Sequence, residues 1–236
     1  MRWRTWVFGV ECGTVPVQPP RRMDILFDLD GTLVDSRAGI FNCIRYSMEH
    51  HQLPVPTAED LLWCIGPPIL ESFAKLVGPD SPHLFEPAVV KYREQYSAIG
   101  IFECEVFPEI LETLEELQRQ GHTMHVATSK AEVYAKRIIT HFEMDRFFAS
   151  VNGSELDGTR ANKAELIAHI LEQQRISRDE VVMIGDREHD IIGAVKNGVP
   201  SIGAMWGYGT GKELVESGAT LCARVPRLLV ELVGSL

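Results

Sequence analysis

Short apolar runs alternate with segments of helical periodicity from Phe107 onward, and this order of elements limits the possible folds more than any other feature of the sequence. The predicted strands cover residues 123–127, 146–151, 181–184 and 200–204. The predicted helices cover residues 108–120, 131–141, 161–174 and 188–196, with a last helix from about Pro226. Strands that alternate with helices form right-handed β-α-β units. We therefore predict an α/β fold with a parallel sheet and helices on both faces.

A helical block interrupts this pattern near its start. Residues 24–28 form an apolar run that predicts a buried first strand. Residues 37–105 then show helical periodicity with turn punctuation and no convincing strand. We expect that residues 23–36 and 106–236 form the α/β core domain and that residues 37–105, the helical insert, form a second domain beside it.

Residues 1–22 differ in character from the rest of the chain. Arg2 and Arg4 precede a short apolar run that lacks a clear signal-peptide cleavage site, and three prolines follow. We interpret this segment as a disordered leader, or as an extension that results from a start codon upstream of Met23.

The net charge and the apolar pattern argue against several classes of partner. The chain has 23 Lys and Arg against 33 Asp and Glu, a formal net charge of −10. This charge disfavours nucleic acid polymers and anionic membranes, because both attract positive surfaces. No apolar stretch reaches the roughly 18 residues of a membrane span. The five cysteines are scattered without a C-x-x-C pair, which predicts free thiols in a cytoplasmic location.

The strongest chemical signal is a pair of carboxylates, Asp28 and Asp30, directly after the first predicted strand. Ligands of open α/β sheets bind at the carboxyl ends of the strands, and Gly31 permits a tight turn there. One carboxylate can attack phosphorus to form an aspartyl phosphate, while the other can protonate the leaving oxygen and later deprotonate water. Such a pair also attracts Mg²⁺. An acidic turn after a buried strand is the alternative interpretation.

Two further polar segments follow later elements of the core. Thr128, Ser129 and Lys130 follow the second core strand, where hydroxyls and backbone N–H groups that open a helix suit a phosphate oxygen. Lys163 lies near another helix start, where a cation can hold both the attacking carboxylate and the transferred phosphoryl group. An ordinary helix cap and a surface lysine are the respective alternatives.

Asp186 and Asp190 follow the most hydrophobic predicted strand, and their spacing lets both carboxylates face one side of a helix start. Asp186 can reach a cation from the loop, whereas compensation of the helix dipole is the alternative role for both. Taken together, the four segments resemble the motifs of the haloacid dehalogenase superfamily in order, spacing and predicted context. The resemblance covers nearly the whole chain from Met23.

The resemblance implies a Rossmann-like core with an α-helical cap domain, which corresponds to the helical insert. It makes Asp28 the nucleophile and Asp30 the general acid and base. It also implies that Mg²⁺ is held by Asp28, by the backbone carbonyl of Asp30 and by Asp186. The remaining implied roles are a supporting carboxylate at Asp190, a phosphate-binding hydroxyl at Ser129 or Thr128, and a charge-neutralising ammonium at Lys163.

Residues 65–68, 185–190 and 206–209 resemble more specifically the phosphoglycolate phosphatase-like and 5'-nucleotidase-like branch. In the insert, we expect Gly66 and its neighbouring prolines to close over the leaving group, with a plain inter-helix turn as the alternative. Arg93 is a candidate cation for an anionic group of the substrate, and a solvated helix face is its alternative. This chain has Glu109 where the family commonly has glycine, which should alter the flexibility of the return linker.

These residues predict a Mg²⁺-dependent hydrolase of a small phosphate ester, with phosphoglycolate or a 5'-nucleotide as the expected substrate. We expect a monomer or homodimer without nucleic acid or membrane partners. One alternative is a phosphosugar mutase, which would pass the phosphoryl group to a sugar. The other is a receiver-like phospho-acceptor module, although receivers are much smaller and carry their acceptor aspartate alone on a middle strand.

Overall fold

The computed structural model describes residues 22–236. The strands in this part of the chain are β1 (Asp24–Phe27), β2 (Val34–Asp35), β3 (Glu105–Val106), β4 (Thr123–Ala131), β5 (Phe148–Ser154), β6 (Val181–Gly185), β7 (Ser201–Ala204) and β8 (Leu221–Ala223). The α-helices are α1 (Arg37–His50), α2 (Ile69–Val77), α3 (Phe85–Ala98), α4 (Ile110–Arg119), α5 (Glu132–His141), α6 (Lys163–Gln174), α7 (Glu188–Lys196), α8 (Gly211–Glu216) and α9 (Leu229–Gly234).

The larger sheet is parallel and has the strand order β5-β4-β1-β6-β7-β8. The first strand, β1, lies between β4 and β6 in the middle of this sheet. Parallel strands that are covered on both faces consist of continuous apolar runs, and the run of β1 follows this rule. Ile25 and Phe27 pack in the larger apolar cluster, whereas Leu26 packs on the other face with Leu166 and Ile170 of α6. The predicted α/β fold with helices on both faces is thus confirmed.

Two short strands join the helical insert to the sheet. Strand β2 precedes the insert and pairs antiparallel with β3, which follows it. Helices α1, α2 and α3 lie between these two strands in the chain. The return segment then enters α4 through Glu109, which has φ 66 and therefore adopts the left-handed conformation. This conformation is strained for a residue other than glycine, so the departure from the family pattern falls at a position whose backbone favours glycine.

Most core elements appear where the sequence places them, but several bounds differ and four short elements were not predicted. The strand predicted at 146–151 begins later, because residues Asp145–Phe147 form a 3₁₀ turn, and it continues to Ser154. Strand β4 extends to Ala131 instead of ending at Ala127. The elements that were not predicted are β2, β3, α8 and β8. All four are short, and short elements carry too few residues to show a clear period.

The expectation of a disordered leader concerns residues 1–22, of which all but Arg22 lie outside the described residues. Among residues 22–236, no helix combines the length and the apolar composition that crossing a membrane requires.

Candidate active site

The sheet topology brings the predicted motif residues together at one edge. Strands β4 and β6 flank β1 in parallel, so their carboxyl ends lie beside each other. Asp28 and Asp30 follow β1, Thr128 and Ser129 lie near the end of β4, and Asp186 follows β6. A cavity between the helical insert and the core opens onto this edge, and its walls include Asp28, Asp30, Thr128 and Ser129.

The side chains of Asp28 and Lys163 form an ion pair within the core. Lys163 is the first residue of α6, a helix that begins there because the side chain of Asn162 accepts a hydrogen bond from the Ala164 N–H at 2.9 Å. Its Nζ lies 2.8 Å from Asp28 Oδ1 and 2.7 Å from Asp190 Oδ1. It also donates to the carbonyl oxygen of Ala127 at 2.7 Å. All three donors of the ammonium are therefore used.

Asp190 is held by its own helix as well as by Lys163. Its Oδ2 accepts a hydrogen bond from the Arg187 N–H at 3.1 Å, which closes a capping box at the start of α7. Since Oδ1 contacts the ammonium and Oδ2 contacts the backbone, both oxygens have partners. This arrangement supports the role of a supporting carboxylate that the resemblance implies.

Asp186 is fixed by groups from two other loops. Its Oδ1 accepts from the Thr32 hydroxyl at 3.2 Å, and its Oδ2 accepts from the Tyr208 N–H at 2.8 Å. The loops can approach because two of their residues are glycines. A Cβ on Gly31 would lie 2.3 Å from Asp186 Oδ2, and one on Gly207 would lie 2.3 Å from Asp186 Cβ. Glycine at both positions is thus a condition for placing this carboxylate.

The charges of this centre fit a bound cation. Carboxylate oxygens of Asp28, Asp186 and Asp190 all lie within 4.8 Å of one another, and the three residues are buried. Lys163 compensates only one of the three negative charges. Burial raises the pKa of Asp28 and raises that of Asp186 well above its usual value, because desolvation and the neighbouring carboxylates both disfavour the charged form. Hard oxygen ligands with excess negative charge are those that Mg²⁺ prefers.

Asp30 has different surroundings from Asp28, although only Leu29 separates them. Its Oδ2 lies 2.8 Å from Nζ of Lys130. Its Oδ1 is buried and has no hydrogen-bond partner among residues 22–236. The side chain lines the cavity. One oxygen of this carboxyl group is therefore held by a cation, and the other is left for a molecule in the cavity.

Thr128, Ser129 and Lys130 lie in an extended strand and not at a helix start, which corrects the expectation from the sequence. Strand β4 runs to Ala131 with an irregular register between Ala127 and Ala131, and α5 begins afterwards. Thr128 and Ser129 still lie in the same region as Asp28, since all three residues line the cavity. The ammonium of Lys130 is bound to Asp30 and to the hydroxyl of Tyr96, at 2.8 and 2.7 Å.

The two residues singled out in the insert both line the cavity. Gly66 has φ 101, and a Cβ there would lie 2.9 Å from Cγ of Arg187, so the position requires glycine. The guanidinium of Arg187 donates to the carbonyl oxygen of Ile65 and pairs with Glu213. Arg93 donates to the carbonyl oxygen of Leu156, across the gap between insert and core.

Several residues that support the site were not predicted in this role. The hydroxyl of Tyr208 donates to Asp35 and accepts from the Ser36 N–H, each at 2.9 Å. The indole of Trp206 donates to the carbonyl oxygen of Thr32 at 3.0 Å. The glycines interleaved with these aromatic residues were the available signal, because such spacing allows a loop to approach another backbone closely.

Known proteins share both the sequence and the fold of this chain. Residues 25–204 match the family described as haloacid dehalogenase-like hydrolase. The chain is 45% identical over 194 residues to a 5'-nucleotidase of Pseudomonas aeruginosa, which covers 82% of this chain and 87% of that protein. It is 39% identical over 185 residues to the tyrosine-protein kinase PtkA of Mycobacterium tuberculosis, which covers 78% of this chain and 62% of that protein.

A solved structure gives the same result for the fold. The crystal structure of a predicted phosphatase from Clostridium acetobutylicum superposes with a TM-score of 0.86 at 36% identity, and the match covers 92% of this chain and 100% of that one. The sheet topology, the motif residues at its edge and the similarity to these relatives all indicate the same family. The chain therefore belongs to the haloacid dehalogenase-like hydrolase family, as an enzyme of the phosphatase type.

Proposed function

We propose that this enzyme hydrolyses a small phosphate monoester through an aspartyl phosphate on Asp28, with Mg²⁺ as its cofactor. The observation that carries the proposal is the buried pairing of Asp28 with Lys163 at 2.8 Å, beside Asp186 and at the wall of a cavity that Asp30 also lines. These contacts support the proposal, because they bring into one centre a candidate nucleophile, a fixed positive charge and a carboxyl group with an oxygen that has no partner among residues 22–236.

In the first half-reaction, a carboxylate oxygen of Asp28 attacks phosphorus while the bond from phosphorus to the leaving oxygen breaks. The leaving oxygen takes the proton of the Asp30 carboxylic acid. Lys163 keeps the attacking carboxylate in place and offsets negative charge next to the phosphoryl group. We assign the hydroxyls of Thr128 and Ser129, two residues of the cavity wall, as donors to phosphoryl oxygens.

In the second half-reaction, the Asp30 carboxylate takes a proton from water, and the oxygen of this water molecule attacks the phosphorus of the aspartyl phosphate. The bond between phosphorus and the Asp28 oxygen breaks, which releases phosphate and restores both carboxyl groups. Mg²⁺, held by Asp28, the backbone carbonyl of Asp30 and Asp186, would neutralise charge on the phosphoryl group.

We propose a leaving group that is small, with phosphoglycolate or a 5'-nucleotide as the substrate. Tyr92, Tyr96 and Leu70 form apolar parts of the cavity wall, and Arg93 is a cationic residue of the insert on the same wall. Such a wall suits an organic alcohol that carries one anionic or hydrogen-bonding group. The name of the Pseudomonas relative supports the nucleotide, and the resemblance to phosphoglycolate phosphatases supports phosphoglycolate.

The same proposal includes the assignment of the helical insert, residues 37–105, as a separate cap domain over a core of residues 23–36 and 106–236. We also propose a cytoplasmic enzyme that acts as a monomer or homodimer. The free thiols of Cys43, Cys64, Cys104 and Cys222 support a reducing compartment.

The deciding experiment is a phosphate-release screen of nucleotides, phosphoglycolate, sugar phosphates and phosphotyrosine, with Mg²⁺ and after chelation. We expect turnover only with Mg²⁺ and none for Asp28→Asn, since the amide is nearly isosteric but is not a nucleophile. Asp179→Asn, at an exposed position, is the matched control. Turnover that survives Asp28→Asn or complete metal removal would contradict the mechanism. Release of phosphate without a bisphosphate activator distinguishes hydrolysis from mutase activity.

A further inference from the structure

Lys130 of the core contacts both Asp30, the proposed acid and base, and a residue of the helical insert. Its Nζ lies 2.8 Å from Asp30 Oδ2 and 2.7 Å from the hydroxyl oxygen of Tyr96. The same Nζ lies 4.8 Å from the centroid of the Tyr96 ring. Lys130 belongs to β4 of the core and Tyr96 to α3 of the insert. The ammonium of Lys130 therefore contacts Asp30 on the core side of the cavity and Tyr96 on the side of the insert.

The position of Tyr96 is set by the aromatic residues around it. Its ring stacks on that of Tyr92 with centroids 5.3 Å apart and an interplanar angle of 10°. On the core side it meets Tyr134 edge-on, at 5.4 Å and 78°. Tyr96 is 2% exposed. The hydroxyl that holds Lys130 is thus in place when α3 is docked against the core.

Lys130 leaves only one oxygen of Asp30 free to exchange a proton with a bound molecule. Because Oδ2 accepts a hydrogen bond from the ammonium, Oδ1 is the oxygen through which Asp30 can exchange a proton with a bound molecule. Oδ1 is the oxygen that has no other partner among the described residues. The ammonium has three donors, and Asp30 and Tyr96 take two of them, so its primary contacts are not with the site of the phosphoryl group.

We propose that Lys130 is a positioning residue that aims Asp30 Oδ1 at the leaving oxygen, and that Tyr96 holds Lys130 in this position only when the insert is docked. Docking of the insert is thereby coupled to proton delivery. The inference rests on the proposed function, since it needs Asp30 to act as the acid. It differs from the expectation that Lys130 binds phosphate.

A dependence on the leaving group separates these two roles. A general acid accelerates the reaction most when the leaving oxygen is strongly basic. It accelerates the reaction little when the leaving group is a stable anion. Phenol has a pKa near that of tyrosine, about 10, whereas 2,4-dinitrophenol is far more acidic. Loss of proton delivery should therefore slow phenyl phosphate much more than 2,4-dinitrophenyl phosphate. Loss of a phosphate contact should slow both esters alike.

The test is the rate at which the phenol leaves in a single turnover with enzyme in excess, which reports the first half-reaction alone, measured with saturating Mg²⁺ in wild type, Lys130→Met and Tyr96→Phe. For Lys130→Met we expect this single-turnover rate to fall about 100-fold or more with phenyl phosphate, the usual contribution of a general acid, and less than about tenfold with 2,4-dinitrophenyl phosphate. Tyr96→Phe keeps the ring and should show the same pattern with a smaller loss.

Two substitutions at exposed positions away from Asp30 serve as controls. Lys136→Met, at an exposed lysine of α5, and Tyr46→Phe, on an exposed face of α1, should match the wild type for both esters. Equal losses for the two esters in Lys130→Met or in Tyr96→Phe would overturn the positioning role. If Lys130→Met does not fold, as judged by circular dichroism, Tyr96→Phe decides alone. A wild-type enzyme that releases neither phenol nor phosphate from these esters in the presence of Mg²⁺ would instead refute the proposed function.

Discussion

Lys163 Nζ and Asp28 Oδ1 lie 2.8 Å apart in the interior of the core, with side chains 3% and 4% exposed. The pair joins the start of α6 to the end of β1, two elements that lie far apart in the sequence. A buried ion pair of this kind is costly to break, because the remaining charge has lost its partner and cannot reach water.

We expect Lys163→Met to remove turnover and to lower the free energy of unfolding by about 3–5 kcal/mol, because Asp28 and Asp190 lose their common cation. Urea unfolding followed by circular dichroism measures the second effect. Lys196→Met, at an exposed position of α7, should change neither quantity. A Lys163→Met enzyme with unchanged stability would show that the carboxylates do not depend on this ammonium.

Mg²⁺ should stabilise the folded protein through Asp186, independently of any activity. A ligand at 100 times its dissociation constant adds about 2.7 kcal/mol to the stability, so the melting temperature should rise with Mg²⁺ concentration. Asp186→Asn should abolish most of this rise, whereas Asp179→Asn should preserve it. An equal Mg²⁺ effect in Asp186→Asn and wild type would place the ion elsewhere.

The left-handed backbone at Glu109 predicts a stabilising substitution. We expect Glu109→Gly to raise the free energy of unfolding by up to about 1 kcal/mol, because glycine adopts φ 66 without the steric cost that other residues carry. Glu112→Gly, on an exposed face of the same helix, should lower it by about 1 kcal/mol. The comparison is made by urea unfolding. Destabilisation by both substitutions would mean that the ion pair of Glu109 with Arg227 outweighs the backbone strain.

His122 predicts a dependence of stability on pH. Its Nδ1 accepts a hydrogen bond from the Met23 N–H at 3.1 Å, and burial lowers its pKa below the usual 6.5. The unfolded chain therefore binds the proton more readily, and the stability should fall as the pH decreases through about 6.5. In His122→Gln this part of the decrease should be absent. Identical slopes of unfolding free energy between pH 7 and 5 in both proteins would contradict the assignment.

Arg93 should affect the choice of substrate more than the chemistry. Arg93 lines the cavity from α3 of the insert, whereas Asp28 lines it from the core. Removal of a charged hydrogen bond to the substrate costs about 1.5–3 kcal/mol, so Arg93→Ala should change the ratio of kcat/KM between anionic esters and p-nitrophenyl phosphate by tenfold or more. Lys91→Ala, whose ammonium pairs with Glu94 on the same helix, is the control. A uniform loss for every ester would refute a role in specificity.

The sequence by itself determined the class of fold and indicated the candidate site residues that the structure brings together at one edge of the sheet. The last three residues of β1, Ile25, Leu26 and Phe27, are apolar, and the later strands alternate with helices. A parallel sheet with Asp28, Thr128 and Asp186 at one edge therefore follows from local pattern and from the handedness of β-α-β units. The candidate role of Lys163 came from the resemblance to the family motifs, because a place near a helix start also fits a surface lysine. These inferences need only short-range information and a general rule of topology.

The tertiary structure decided which groups hold these residues and in what direction they point. Nothing near Lys130 in the sequence indicates that its ammonium contacts Tyr96 of the insert. The glycines beside Tyr208 indicate a close approach of two backbones, but they do not indicate that the Tyr208 N–H holds Asp186. The extension of β4 to Ala131 depends on pairing with Ser154 of β5. Such contacts join residues far apart in the chain, and their geometry results from packing of the whole core. Local propensity and spacing therefore do not specify them, because the same short pattern fits many different neighbours.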